Sequence, residues 1–324
     1  MSNVTTPHTD QSVYAAKKII HTLASGKAPA MGADWWINDA VHDTTATACQ
    51  ALNLKTAELR AEVTTVLNSV AALPSSRTQE AIEMVLALKH RSEQLDKEAE
   101  EWMQNLPDHW KYRTLCWHAD HIPPDGDHYA RAEVFPGKVD VYGDFWMASV
   151  WNLARATRLI LSSITTRCTA WVSAATGVDF RTTPEHATAV RMCTETIADI
   201  LASVPYHLGW HVKRRHLFPG VNAFSGFACG PENDDDESGI KGLAGLFLTW
   251  PLGIVITQDY LTDAQRKWVQ GRLRFIGSEL GIRYAHIIAQ VSRQPFCFLL
   301  ILPLSISFHF YPFFLNIPIF YLFL

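Results

Sequence analysis

The chain has 324 residues, of which 48% are hydrophobic and 11% are aromatic. A chain of this length and composition can bury a substantial core, which excludes an intrinsically disordered protein. The formal net charge is -4, so there is no basic excess that could follow a phosphate backbone. We therefore expect no direct binding of nucleic acid by this chain.

The cysteines do not form a metal-binding pattern. They stand singly, with no CxxC pair and no short spacing that could seat a zinc ion, at Cys49, Cys116, Cys168, Cys193, Cys229 and Cys297. Most lie in stretches with apolar periodicity, which predicts buried free thiols in a reducing compartment. The N-terminus is polar and unlike a secretory signal, so we expect the nucleus or the cytoplasm. No cofactor is predicted.

Helical periodicity dominates residues 40–291, whereas residues 1–39 predict only a short helix. Apolar residues recur at helical intervals from Leu52 to Val70, and a second helix is predicted from about Thr78 to Leu106. Prolines and glycines then interrupt residues 107–143, which predicts a long loop.

The next helix is predicted to begin near Asp144. Its apolar stripe consists of Trp146, Val150, Leu153, Thr157, Leu161 and Ile164, and Asn152, Arg155 and Arg158 are expected on a different, polar face. A capping box of Thr182 and Glu185 predicts the start of the following helix, which we expect to end at Pro205.

The last third of the helical region begins after a second predicted loop at residues 220–239. An apolar run follows from Leu243 to Ile256, and a capping box of Thr262 and Gln265 predicts the final helix. No segment combines sustained apolar and polar alternation with hairpin chemistry at its ends, so no sheet is predicted. The predicted fold class is all-α, either an irregular multi-helix bundle or a solenoid-like array of helix pairs.

One loop has the residue types of a metal site. The run from Cys116 to His128 contains His118, Asp120 and His121, and imidazole and carboxylate ligands crowded on one loop can share a divalent ion. The spacing is similar to the ligand run of metallo-β-lactamases, but that run follows a strand, and we expect helical surroundings here. We therefore favour a solvated polar loop and predict no metal, keeping a metal-dependent all-α enzyme as the alternative.

No other segment predicts catalysis. The acidic run from Asp234 to Glu237 could bind magnesium on a helix, but the flanking glycines place it in a loop, where a solvated connector is the expected state. The basic run from Lys213 to Arg215 is too short to separate a nuclear-import signal from ordinary surface. No nucleophile elbow, phosphate-binding loop or dinucleotide motif is present, so no catalytic residue is proposed.

Three blocks in a fixed order resemble the regulatory region of fungal zinc binuclear cluster transcription factors. The first is a W-N-x-x-R-x-x-R helix within residues 136–158, and the second is an I-x-x-S-V-P-Y-x-L segment at residues 200–208. The third combines W-P-L at residues 250–252 with R-x-W at residues 266–268 and G-I at residues 281–282. Trp102 and an L-P-x-x-W element ending at Trp110 fit the same region, so that the resemblance covers about residues 40–291.

The resemblance implies a helical region that tunes transcription without catalysing a reaction. The six-cysteine cluster that binds DNA in that family is missing from this sequence, so we expect either a truncated gene product or a paralogue without the cluster. Protein partners or a small-molecule effector are the partners that the resemblance implies. No ligand-binding or DNA-contacting residue can be transferred.

The C-terminal tail, residues 292–324, differs from the rest. From Phe296 to Leu324 it has no acidic residue, lysine or arginine, and hydropathy alone makes it a transmembrane candidate. Pro303, Pro312 and Pro318 interrupt any single helix, and basic flanking residues are missing after Arg293. We therefore predict translated intron sequence, with a tail-anchored membrane protein as the alternative.

Overall fold

The computed structural model describes residues 43–71, 78–119, 128–217 and 238–290. Within these ranges the chain forms eight α-helices and one two-stranded sheet. The helices are α1 (Thr44–Ala71), α2 (Gln79–Gln104), α3 (His128–Arg131), α4 (Phe145–Thr176), α5 (Pro184–His207), α6 (Ser238–Ile256), α7 (Asp263–Ser278) and α8 (Arg283–Ala289). The strands are β1 (Arg113–His118) and β2 (Gly137–Val141). The predicted all-α fold class is confirmed.

The chain divides into two compact units. Of the described residues, those within 43–111 and 149–200 belong to unit 1, and those within 112–148 and 201–290 belong to unit 2. The division falls inside α4 and α5, so each of these helices contributes residues to both units.

Local capping explains where several helices begin. Thr262 and Gln265 form the predicted capping box at the start of α7, with both reciprocal hydrogen bonds present. The first helix begins eight residues before the predicted Leu52. Asp43 is the cause, because its carboxylate accepts hydrogen bonds from the backbone N–H groups of Thr45 and Ala46 at 2.8 and 3.1 Å.

The predicted capping box of α5 is wrong by one residue. Thr183, not Thr182, accepts the hydrogen bond from the backbone N–H of His186, at 3.2 Å. Thr182 lies in a short 3₁₀ turn that precedes the helix, and its hydroxyl donates to the Asp179 carbonyl at 2.8 Å. Pro184 is the first residue of α5, where its missing N–H leaves no hydrogen bond unmade.

The predicted end of α5 at Pro205 is also wrong, since the helix continues to His207. Gly209, with φ of 69°, stops it in the left-handed conformation. The N–H of Gly209 donates to the Tyr206 carbonyl, and the N–H of Trp210 donates to the Pro205 carbonyl. This pair of bonds is a Schellman motif, and it satisfies the last carbonyls of the helix.

The prediction that the chain contains no sheet is wrong for part of residues 107–143. β1 and β2 pair in an antiparallel register that includes Trp117 opposite Lys138. An irregularity between Thr114 and Cys116 breaks the alternation of β1. Chain segment 119–136 joins the strands instead of a tight turn, so the sequence offers neither of the usual hairpin signals.

Each unit has its own apolar core. In unit 1 the fully buried residues include Leu59, Val85, Leu159, Ile160 and Ile197, which come from α1, α2, α4 and α5. In unit 2 they include Leu248, Leu252, Trp268, Val269 and Leu273 from α6 and α7. Among the described helices, none is both long and apolar enough to cross a membrane. Residues 292–324, and with them both predictions for the tail, lie outside the described part.

Candidate functional site

The helix that carries the W-N-x-x-R-x-x-R block is buried on more than one side. Asn152 and Arg155 are 1% and 0% exposed, so the expected polar face of α4 does not point to water. These polar residues are buried because α1, α2 and α5 all pack on the unit 1 part of α4. Their contacts are hydrogen bonds from Cys49 to the Val150 carbonyl, from Ser92 to the Leu161 carbonyl and from Cys193 to Ser162.

The predicted apolar stripe of α4 is only partly confirmed. Val150, Thr157, Leu161 and Ile164 are buried, whereas Trp146 and Leu153 are half-buried. Helix α4 therefore does not have a single buried face opposite a solvated one.

Three tryptophans connect the first block to the L-P-x-x-W element. The Trp151 indole donates to the Trp110 carbonyl at 2.8 Å. The ring of Trp102 meets both others edge-on, with centroid distances of 6.5 Å to Trp110 and 6.0 Å to Trp151. Its own indole donates to the Thr45 carbonyl at 3.0 Å. This cluster joins α1, α2 and α4 with the 3₁₀ turn at Trp110, and the indole N–H groups of Trp151 and Trp102 both bind backbone carbonyls.

The two arginines of the W-N-x-x-R-x-x-R block make different contacts. Arg155 donates to the Asn152 side chain at 3.2 Å, and its guanidinium lies 5.2 Å from the centre of the Trp151 ring. Arg158 forms two parallel bonds to Asp96 of α2, at 2.8 and 3.0 Å. Burial alone lowers the pKa of Arg158, but the hydrogen bond and the charge of Asp96 outweigh it, and the net pKa is raised. Arg158 is thus a fixed cation that ties α4 to α2.

The second block builds the end of α5 in unit 2. The Tyr206 hydroxyl donates to the Tyr142 carbonyl at 3.2 Å, and the Tyr206 ring stacks on His211 at 5.2 Å. His207 donates from Nδ1 to the Ser203 carbonyl at 3.0 Å. Tyr206 therefore joins α5 to the residue that follows β2, and His207 and Ser203 bind each other within the last turns of α5.

The third block holds α6 and α7 together. Arg266 donates to the carbonyls of Ile256 and Gln258 at 2.6 and 3.1 Å, so a cation covers the C-terminal end of α6. Trp268 is 0% exposed and meets Phe135 edge-on at 5.9 Å. As in the other blocks, the charged and aromatic residues stabilise the fold.

The metal-site residues are not gathered around one point in the described part of the chain. Cys116 and His118 lie on β1, so the expectation of helical surroundings was wrong, and His118 is exposed. Asp120 and His121 lie outside the described residues. Among the residues that the structure describes, no three His, Cys, Asp or Glu side chains are grouped so that they could hold an ion.

The acidic run and the basic run are the other two candidates from the sequence, and the structure describes only the basic one. The acidic run at residues 234–237 lies outside the described residues. Within the basic run, Arg214 binds Glu133 at 2.6 Å and lies 4.7 Å from the Trp210 ring, so this residue has a structural role. Lys213 is exposed.

The prediction of buried free thiols is confirmed for Cys49, Cys168 and Cys193. Burial raises the pKa of Cys49 to about 12 and that of Cys168 to about 11. Both thiols therefore stay protonated at neutral pH and are poor nucleophiles. Cys116 is a free thiol of intermediate exposure, and Cys229 and Cys297 lie outside the described part.

Sequence reasoning did not identify the partners of these residues. Asp96 is separated from Arg158 by 62 residues, and no sequence pattern links them. Asp140 of β2 is completely buried, where it accepts from Thr114 at 2.8 Å and pairs with Lys138 at 3.2 Å. An aspartate between two valines in a strand was the only available signal for this network.

Comparison with known proteins gives one informative similarity. The chain is 26% identical over 166 residues to transcription factor dbaG of Emericella nidulans. The matched stretch covers 50% of this chain and 34% of that protein, so the chain corresponds to about a third of its relative. No family model and no solved structure matches. Along one half of its length, this chain is similar to part of a fungal transcription factor.

Proposed function

We propose that the chain is the regulatory region of a fungal transcription factor of the zinc-cluster type. It acts in the nucleus through protein partners or a small-molecule effector, and it does not contact DNA by itself. The observation that carries the proposal is the shared role of the three blocks. The tryptophans and arginines of the first and third blocks, and the tyrosine and histidine of the second, hold elements together within each unit, so the blocks define a helical scaffold.

A non-enzymatic role agrees with how the polar residues are used. Arg158 is paired with Asp96, Arg266 covers the end of α6, and the Trp151 indole is bound to a backbone carbonyl. Catalytic groups, by contrast, need a site that a substrate can reach. The similarity to a transcription factor supports the same conclusion.

Two measurements on the purified chain test this proposal against its alternatives. A footprint on duplex DNA at physiological salt should show no sequence-specific protection, because the net charge of -4 gives no electrostatic attraction to phosphate. Protection that survives this salt concentration would overturn the proposal.

Metal analysis tests the enzyme alternative. We expect no stoichiometric zinc or magnesium in the purified protein. Stoichiometric metal that is lost on substitution of His118, Asp120 and His121 would favour a metal-dependent enzyme instead. The matched control is His109→Ala, which removes an imidazole outside the Cys116–His128 loop.

A further inference from the structure

Strand β1 carries the most exposed large apolar side chain of the described residues. Trp117 is 77% exposed, although tryptophan is highly buried on average. Its neighbour across the sheet, Lys138, is engaged elsewhere. The Lys138 ammonium group pairs with Asp140 at 3.2 Å and lies 5.3 Å from the centre of the Tyr112 ring. A single exposed apolar residue needs no explanation, but Trp117 lies on a strand with a free edge.

The outer edge of β1 has no strand beside it in the described part of the chain. β1 pairs there with β2 alone, in a sheet of two strands, and its residues make no further backbone hydrogen bond within that part. The outward N–H and C=O groups of an edge strand can pair with an added strand. The irregularity of β1 lies between Thr114 and Cys116, so the pairing from Cys116 to His118, which includes Trp117, is regular.

The exposed charged groups of β1 are all basic. Arg113 and His118 stand at the two ends of the strand, and both are exposed. Neither takes part in an ion pair within the described residues. The strand contains no acidic residue, and Asp140 of β2 is buried and paired with Lys138. An edge with basic side chains and no acid is electrostatically complementary to an acidic segment.

The register places Trp117 and the two basic residues on different faces of the sheet. Residues that lie directly opposite each other in an antiparallel pair point to the same face. The partners on β2 are Lys138 for Trp117, Val141 for Arg113 and Gly137 for His118. Successive residues of a strand point to opposite faces, so the partner of Trp117 lies on a different face from the other two partners. A strand added to β1 would therefore meet Trp117 on one face and the basic residues on the other.

We propose that the outer edge of β1 binds an extended segment of a partner protein in which acidic and apolar residues alternate. The inference rests on the proposed regulatory function, and it names the kind of partner through which that function acts. The segment adds a strand to β1 through backbone hydrogen bonds. Its apolar side chains pack on Trp117 and its carboxylates approach Arg113 and His118, because an alternation with a period of two matches the two faces of β1.

A second copy of β1 and a nucleic acid fit this edge less well. If two β1 strands paired antiparallel around their centres, Arg113 of one copy would stand opposite His118 of the other, so that two basic side chains would meet. Single-stranded nucleic acid stacks on exposed aromatic rings, but the net charge of -4 opposes its approach. An acidic peptide strand is complementary to both the free edge and the basic side chains.

The test uses the complete chain and a fluorescein-labelled peptide of about eight alternating glutamate and valine residues as the probe. Fluorescence anisotropy should show saturable binding, which should weaken as the salt concentration rises. A peptide of the same composition, with its glutamates and valines in two separate blocks, should bind roughly tenfold more weakly or worse. Absence of saturable binding, or equal binding of the two peptides, would overturn the proposal.

Variants assign the binding to β1. Trp117→Ala and Arg113→Glu should each weaken binding of the alternating peptide about tenfold. Both side chains are exposed, so the midpoint of thermal unfolding should stay that of the wild type. The matched controls are Ile287→Ala and Arg283→Glu on α8, which change an exposed apolar residue and an exposed arginine of the same unit. Unchanged affinity in Trp117→Ala or Arg113→Glu, or an equal loss in the controls, would refute the assignment.

Methylated peptides test the backbone pairing without changing the protein. Two peptides carry N-methyl groups on alternate amides, one on the valines and the other on the glutamates. An added strand turns only one of these sets toward β1, so one peptide should lose binding and the other should keep it. Equal affinities of the two methylated peptides would contradict strand addition.

The other two occupants are tested with the same protein. A labelled single-stranded oligonucleotide should show no saturable binding, and sedimentation should show no dimer that Trp117→Ala dissociates. Either signal would overturn the proposal in favour of that occupant. None of these measurements involves transcription, so their failure is distinct from failure of the proposed regulatory function.

Discussion

A close approach between α3 and α7 at Gly271 allows a sharp prediction about stability. A methyl group added at Gly271 of α7 would lie 1.9 Å from the carbonyl oxygen of Ala130 and 2.7 Å from its carbonyl carbon. Real Cβ contacts are essentially never shorter than 3.0 Å, so Gly271→Ala must push α3 away from α7. The obstacle is a backbone carbonyl, which cannot rotate aside as the end of a side chain can.

The expected loss of unfolding free energy in Gly271→Ala is the difference between two effects. Alanine in a helix interior is more favourable than glycine by about 1 kcal/mol. Overpacking typically costs about 1–3 kcal/mol or more, and here it also threatens the bond from Arg272 to the Arg131 carbonyl. Because the obstacle is backbone, we take the upper end of about 3 kcal/mol for overpacking. The net loss is then about 2 kcal/mol, which should lower the unfolding midpoint by roughly 4–8 °C.

Circular dichroism during thermal unfolding of the complete chain measures this loss. The matched control is Gly253→Ala in α6, where the added methyl group would lie 3.3 Å from the flexible end of Ile288. Here the gain in helix propensity should dominate, and the midpoint should stay unchanged or rise. If Gly271→Ala were as stable as the control, the described contact between α3 and α7 would be wrong.

Further predictions concern a helix cap, an ion pair and a buried thiol. Thr262→Ala removes the capping box of α7 and should cost about 1 kcal/mol in chemical denaturation; no loss would contradict the cap. A double-mutant cycle of Arg158→Leu and Asp96→Leu should give a coupling free energy of about 1–3 kcal/mol, and additivity would show that the ion pair is unimportant. Iodoacetamide at about pH 8.5 should modify Cys116 before Cys49 in peptide maps, since burial keeps Cys49 protonated; the reverse order would refute its burial. The thiol of Cys49 favours folding below pH 9.0, and its contribution is lost as the pH rises toward 12, because only the unfolded thiol ionises in that range.

The helices with clear local signals could be predicted from the sequence. The capping box at Thr262 and Gln265 depends on neighbours along the chain, and it appears as expected. The end of α5 is different, because Pro205 near a helix end removes one hydrogen bond without stopping the helix. The Schellman motif at Gly209 stops it, and a glycine shortly after the last helical residue is its local signal.

The faces of α4 could not be predicted in the same way. A stripe of apolar residues identifies a buried face, but it does not show that the opposite face is exposed. Asn152 and Arg155 are polar residues that the fold nevertheless buries, because α1, α2 and α5 surround this helix in unit 1. The pairing of Arg158 with Asp96 depends on tertiary packing and has no local sequence signal.

The surroundings of Trp268 and Arg272 on α7 were equally hidden from sequence reasoning. Trp268 was expected as a core aromatic, and its burial agrees with that expectation. Periodicity cannot show that the Trp268 ring meets Phe135, or that Arg272 on the same helix is buried and donates to the Arg131 carbonyl. These features depend on which atoms of segment 131–135 face α7.

The most direct test of the regulatory function is a reporter assay with and without tethering. The complete chain is fused to an unrelated sequence-specific DNA-binding domain and compared with the same domain alone and with the unfused chain. We expect the fusion to change reporter transcription several-fold, whereas the unfused chain should leave it unchanged. A fusion that is expressed, reaches the nucleus and gives the same transcription as the DNA-binding domain alone would contradict it.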